Sequence, residues 1–175
     1  CSDLTVDEYA EESKEMPDTL YEFENAEGWY PGNGVFVGDC MPYRKDDEYH
    51  VLYLKDRHHH RSKWGLGAHQ WEHISTADLV HWEIHPPCLC TTRGGVDGYQ
   101  VWAPGVTEKD GVYYMYYTGV NLDVAQSICL ATSRDLYTWE KYEGNPVLLP
   151  GAWGAWREDA WSDCRDSMVF LDDDG

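Results

Sequence analysis

Basic residues are scarce in this 175-residue chain: 13 Lys and Arg stand against 32 Asp and Glu, a formal net charge of −19. An acidic surface of that size repels polyanions, which argues against a nucleic-acid or anionic-membrane partner. No run of about 18 apolar residues occurs, so a transmembrane helix is excluded. Cysteine is too sparse for the disulfide-dense class. The six (Cys1, Cys40, Cys88, Cys90, Cys129 and Cys164) lack the paired C-x-x-C spacing of a zinc site, and most read as buried free thiols. The run His58-His59-His60 lies between Arg57 and Arg61. Consecutive loop residues point in different directions, so it reads as a solvated basic loop. No metal site and no cofactor are expected. A charged n-region followed by an apolar h-region is also missing, so no signal peptide is visible and the compartment stays open. The sequence opens on Cys rather than Met, which points to a cut piece of a longer chain, a lipoprotein with its leader removed being the alternative.

What is abundant is aromatic: nine Trp and 13 Tyr, with only three Phe. Such rings fill β cores and also stack on sugar faces, and composition does not choose between the two. The length suits one domain. Residues 1–30 form an acidic arm or linker, with a short helix over Thr5–Lys14 that Pro17 would stop. From residue 31 onward the texture is β: short apolar-aromatic runs broken by Gly, Asp and Asn. The clearest strands are Tyr49–Leu54 and Val112–Thr118, with shorter ones at Val35–Val37, Ile128–Ala131 and Met168–Leu171. Ser75–Leu79 reads as a turn in a loop between strands.

The informative feature is repetition. The stretch Ser75-Thr-Ala-Asp78-Leu79-Val-His-Trp82 returns, 57 residues on, as Thr132-Ser-Arg-Asp135-Leu136-Tyr-Thr-Trp139. Tyr49-His-Val-Leu-Tyr53 returns 64 residues on as Tyr113-Tyr-Met-Tyr-Tyr117, and the same offset carries Asp39–Asp46 onto Ala103–Asp110. A third unit opens at Asp166-Ser-Met168, matching Asp39-Cys-Met41. A repeat of roughly 60 residues with about four strands is the mark of a β-propeller blade. An irregular β-sandwich would not account for three matched strand starts. The expected fold is therefore all-β: a partial five-bladed propeller over residues 31–175, with blade one about 31–92, blade two about 96–150 and the first strand of blade three within 160–175. Two blades do not close a propeller, and an open sheet leaves an edge and an apolar face. The remaining blades are expected from the rest of a longer chain or from other copies.

In a propeller the innermost strands converge on one axial pocket. The repeat puts Asp39 and Asp166 at the same point of blades one and three, with Trp102 beside the corresponding Ala103 of blade two. Paired carboxylates over an aromatic-walled cavity suit glycosidic-bond cleavage. Ordinary turn aspartates are the alternative reading of the same two residues.

These residues also carry a resemblance. Gly38-Asp39-Cys-Met-Pro-Tyr43 followed by Tyr49-His-Val-Leu-Tyr53 resembles the first blade of glycoside hydrolase family 32, whose pattern is Asn-Asp-Pro-Asn-Gly and then Tyr-His-Leu-Phe-Tyr. Lys63-Trp64-Gly and Gln70-Trp71-Glu-His73 through Trp82 resemble its next stretch. Tyr117-Thr-Gly119, Gln126-Ser127, Thr138–Leu148 and Cys164-Arg165-Asp166 follow in the family's order. The resemblance covers about residues 30–175. It implies a β-fructosidase-like enzyme acting on O-glycosidic bonds of a carbohydrate substrate. Asp39 falls on the nucleophile, Asp166 on the transition-state stabiliser and Arg165 on its pocket neighbour. Trp64 and Trp102 fall on the walls of the sugar subsite, with propeller core as their alternative role. The general acid of the family is a Glu on a later blade, so this piece alone is expected to be inactive.

The sequence departs from the pattern where Gly38, Cys40, Met41 and Leu54 replace Asn, Pro, Asn and Gln. Ala103-Pro104-Gly105 also replaces a Ser-containing motif, and Ser167 a Pro. The lost Asn and Gln remove hydrogen bonds to a fructosyl unit. Val101-Trp102-Ala103-Pro104 also resembles the related family 43. The alternatives are accordingly an inverting arabinosidase or xylosidase, with Asp39 as general base, and a carbohydrate-binding propeller without catalysis.

Overall fold

The computed structural model describes residues 36–56, 69–121, 125–151 and 163–173. Eight strands follow one another: β1 (Phe36–Lys45), β2 (Glu48–Asp56), β3 (Gln70–Thr76), β4 (Glu83–Leu89), β5 (Gln100–Lys109), β6 (Val112–Asn121), β7 (Ala125–Ser133) and β8 (Glu140–Lys141). They form two four-stranded sheets in sequence order, β1–β4 and β5–β8, with every neighbour antiparallel. No helix occurs among the described residues. The architecture is all-β, two meander blades of a propeller. Residues 1–30, expected as an acidic arm or linker, the His58–His60 run and Trp64 lie outside the described residues.

The repeat is visible in backbone detail. Both first hairpins close with two-residue loops, pairing Lys45 with Glu48 and Lys109 with Val112. Each begins its turn on an aspartate at φ 55°, Asp46 and Asp110. Asp tolerates this left-handed backbone, and it matches the twist of the flanking strands. The Asp-Leu corners are equally alike. Thr76 Oγ1 accepts the Asp78 and Leu79 amides, while Asp78 Oδ1 accepts those of Val80 and His81. Ser133 and Asp135 repeat all four contacts with Leu136, Tyr137 and Thr138. Both leucines, Leu79 and Leu136, take positive φ. The hydroxyl and carboxylate satisfy backbone donors that the turn leaves outside the ladder.

Blade one presents Leu52, Leu54, Trp71 and Leu89 to blade two, which answers with Val101, Met115 and Tyr117. The parity of β2 and β6 therefore differs: residues 50, 52 and 54 face the interface in one, and 113, 115 and 117 in the other. Consecutive blades stack second face on first face, so equivalent strands contribute alternate sets. Trp71 is fully buried and donates its indole Nε1–H to the Val101 carbonyl at 3.2 Å. Each such large side chain contributes about 1.5–3 kcal/mol of burial.

Two polar clusters cross the same interface. The phenol of buried Tyr117 donates to Asp97 Oδ2 at 2.8 Å, and Lys141 Nζ meets that carboxylate at 2.5 Å while donating also to Thr92 Oγ1 and the Cys90 carbonyl. Toward the opposite end of the blades, the rings of His50, His73 and His85 gather around Tyr137, with centroids 4.8–5.5 Å from the tyrosine. His50 Nδ1 lies 2.9 Å from His73 Nε2. Burial, reinforced by His85 and His50, pushes His73 down to about 3, and burial lowers His50 as well.

The thiols are mixed. Cys88, Cys129 and Cys164 are free and buried, and Cys40 is free but exposed. Cys90 departs from the free-thiol expectation, being disulfide-bonded. Residues 163–173 run past blade two and carry no ladder assignment. Met168 and Phe170, expected in a strand, are exposed, and among the described residues no strand pairs with them.

Candidate active site

One cleft of about 400 Å³ is lined by Asp39, Leu54, His69, Trp102, Arg165 and Asp166. Four residues expected at the site from sequence, spread over 127 positions, are thus brought to one place. Trp64 lies outside the described residues.

Local backbone irregularities aim these side chains. Asp39 sits in a β-bulge: Gly38 pairs with Leu54 and Cys40 with Tyr53, leaving Asp39 without a ladder partner. A bulge bends its strand and redirects the extra residue, which is why such features gather at sites. The corresponding place in β5 is irregular too, with Trp102 opposite Thr118 and Gly105 opposite Tyr116. Trp102 is half-buried and anchors its indole Nε1–H on Gln100 Oε1 at 2.9 Å, which leaves its ring as a cleft wall.

The Arg165-Asp166 corner belongs to the segment after blade two. Asp166 holds φ 60°, a left-handed backbone that costs energy in a non-glycine residue. Its amide donates to Thr118 Oγ1 at 3.2 Å. The Arg165 guanidinium reaches Gln126 Oε1 at 3.2 Å and is hydrogen-bonded to Asp163, and its Nε lies 3.5 Å from Asp166 Oδ2. Asp163, through its hydrogen bond and its charge, raises the Arg165 pKa further, so this cation persists between the two carboxylates. The cleft therefore offers two exposed carboxylates, one guanidinium and an aromatic wall.

Two lining residues were not expected to carry a role. Leu54 brings an apolar patch where the resemblance calls for a Gln. His69, almost fully buried and at φ 45°, places Nε2 2.9 Å from Asp56 Oδ2 beside it. Asp56 ends β2 and His69 precedes β3, so only the β2–β3 pairing joins them, and nothing in their spacing announces it. Thr118 and Gln126 fall in the Tyr117-Thr-Gly119 and Gln126-Ser127 stretches of the resemblance but had no role assigned to them, lying 48 and 39 residues from the groups they hold. Among the described residues no group of three or more His, Cys, Asp or Glu could hold a metal ion.

Two further clefts lie elsewhere, one larger than this and one slightly smaller. One, of about 590 Å³, runs between Pro86–Thr92 and Tyr137–Lys141 at the outer edge of the blades. The other, of about 370 Å³, lies over the Ser133–Asp135 corner. Neither contains a residue expected at the site.

The chain is 37% identical over 86 residues to the vacuolar acid β-fructofuranosidase 1 of a Rosa hybrid cultivar, covering 46% of this chain and 14% of that protein. It is 31% identical over 139 residues to acid β-fructofuranosidase AIV-18 of Capsicum annuum, covering 75% of this chain and 20% of that protein. The chain thus spans a fifth or less of these curated relatives. Its fold matches a variant of fructan 1-exohydrolase IIa from Cichorium intybus, solved in complex with 1-kestose. The TM-score is 0.57 and the identity 23%, over 80% of this chain and 25% of that one. The family model for the glycosyl hydrolases family 32 N-terminal domain matches residues 40–175, beginning one residue after Asp39. The chain belongs to glycosyl hydrolases family 32, within that N-terminal domain.

Proposed function

We propose that the protein containing this chain is a β-fructosidase-like glycosidase, cleaving O-glycosidic bonds of oligo- or polysaccharides. The observation that carries this reading is the meeting of Asp39, Trp102, Arg165 and Asp166 on one sugar-sized cleft. Asp39 is the nucleophile. Its carboxylate oxygen attacks the anomeric carbon, and the bond to the leaving oxygen breaks with its electron pair on that oxygen. A general acid then supplies the proton. That acid is not among the described residues lining the cleft, and on the family reading it is a Glu from a later blade. Water hydrolyses the resulting glycosyl–enzyme ester, with the same Glu now taking a proton.

Asp166 and Arg165 hold hydroxyls of the sugar as positive charge develops on its ring. Interactions that strengthen in the transition state raise the rate rather than merely tightening binding. Trp102 supplies a flat apolar face for the ring. Leu54 gives the subsite one hydrogen-bonding group fewer than the family pattern, so the bound unit is gripped chiefly by the two aspartates and Arg165.

The test is made on the full-length protein with sucrose, 1-kestose, an aryl xyloside and an aryl arabinofuranoside, following the first-released anomer by NMR. Fructose released with retained configuration is the expected result. Cleavage of the pentosides alone, with inversion, would replace this reading by the family 43-like one. Sugar binding with no cleavage would replace it by a non-catalytic carbohydrate-binding propeller.

A further inference from the structure

Gln126 is an unusual residue for the start of a strand beside an open cleft. It is 3% exposed, and its single side-chain oxygen takes two donors from the same corner, the Cys164 amide at 3.1 Å and Arg165 Nη1 at 3.2 Å. Both lone pairs of Oε1 are thereby used. Two residues along the partner strand, Thr118 is fully buried and accepts the Asp166 amide. Val120 pairs with Gln126 and Thr118 with Ile128, so Thr118 and Gln126 project from one face of blade two. That face looks toward residues 163–173.

Three consecutive residues, Cys164, Arg165 and Asp166, are thus held by two side chains of one rigid sheet. Within the corner Asp163 and Asp166 sit on either side of the Arg165 guanidinium, and Asp166 is held in a left-handed backbone. Such a conformation persists only where the surroundings over-determine it. No ladder pairing fixes this segment among the described residues. The side-chain acceptors hold this segment as the pairing of Gly38 and Cys40 with β2 holds the residues flanking Asp39.

We propose that Gln126, with Thr118 as its companion, is the positioning residue of the cleft: it acts through Arg165 and Asp166, setting their place opposite Asp39, and does not touch the sugar. This rests on the glycosidase reading for its effect on rate. The geometry it asserts stands apart from that reading.

Gln126→Leu keeps the bulk and removes the acceptor, whereas Gln126→Glu keeps an acceptor oxygen at the same reach. Thr118→Val and Thr118→Ser form the matching pair. In the full-length protein, hydrogen exchange over residues 163–173 is measured alongside kcat and KM on sucrose or 1-kestose, well below each variant's melting temperature. The expected result is faster exchange in that segment for Gln126→Leu and Thr118→Val. In those variants kcat also falls about 10- to 100-fold, the scale of a 1 Å misplacement, with KM changed less than kcat. Gln126→Glu and Thr118→Ser recover to within about threefold of the parent protein, a range well inside the tenfold that corresponds to 1.4 kcal/mol. A loss of melting temperature with unchanged exchange and kcat would overturn the proposal and leave a structural role only. So would a Gln126→Glu variant as impaired as Gln126→Leu. If the parent protein cleaves no β-fructoside, the glycosidase reading fails, and exchange alone then decides: unchanged protection of 163–173 in Gln126→Leu overturns the positioning role too.

Discussion

A Cβ added to Gly105 would stand 2.3 Å from the carbonyl oxygen of Ser167, the residue after Asp166. The backbone of β5 and the corner segment approach each other so closely there that only glycine fits. Gly105, in the Ala103-Pro104-Gly105 stretch that departs from the family pattern, is where β5 meets the backbone just after the Arg165-Asp166 corner.

Gly105→Ala is therefore expected to push the corner off blade two. Overpacking of this kind costs about 1–3 kcal/mol, and the displaced Asp166 would lower sugar turnover at least tenfold in the full-length protein. Thermal melting and kcat/KM check the two effects separately. Parent-like values of both would show that the corner tolerates displacement.

The ion pair between Asp97 and Lys141 joins the connection between the blades to the last strand of blade two, with Tyr117 as third partner. Asp97 is 2% exposed. Removing one member of a buried pair leaves the other uncompensated, at about 3–5 kcal/mol. Asp97→Ala should lose that much in denaturant unfolding, and Asp97→Ala with Lys141→Met should recover part of it. A single variant within 1 kcal/mol of the parent, on the scale of exposed pairs, would contradict the buried assignment.

The histidine cluster predicts a pH dependence with a definite sign. His73 titrates near 3 in the folded protein against an ordinary value of 6.5, so between those values the unfolded chain binds a proton that the folded chain does not. The contribution is fully present above about pH 6.5 and is lost as the pH falls toward 3. His50, also lowered, adds in the same direction. Glu48, Lys45, His85, Asp135 and Tyr137 are the charged or titratable neighbours. Carboxylates titrate in the same range, so the comparison is with His73→Gln, which keeps the contact with His50 without the charge. The parent should lose more stability than this variant between pH 7 and pH 4.5, read as denaturant midpoints. Equal losses would remove His73 from the account.

The propeller architecture was legible because its corners are local. Thr76, Asp78, Ser133 and Asp135 do their work within three residues, so the same short pattern must recur wherever the same turn does. That Asp39 and Asp166 line one cleft was legible because they open equivalent units of the repeat. Gln126, Thr118, His69 and Gly105 carried no comparable signal. Each acts on a group that is distant in sequence: the pairing of β6 with β7, or of β2 with β3, decides which side chain arrives for the first three, and the approach of β5 to the Ser167 backbone decides Gly105. The disulfide of Cys90 was invisible for a related reason, since pairing depends on proximity and not on spacing. The bulge at Asp39 was hidden too, since the slip is seen only in the register against β2.

The most direct measurement is the turnover of sucrose or 1-kestose by the full-length protein and its Asp39→Asn variant, with circular dichroism confirming that both fold. The variant is expected to lose at least about 10³-fold in kcat, some 4 kcal/mol of barrier, while still binding the sugar. A variant within tenfold of the parent would mean that the carboxylate on the β1 bulge does not attack the substrate.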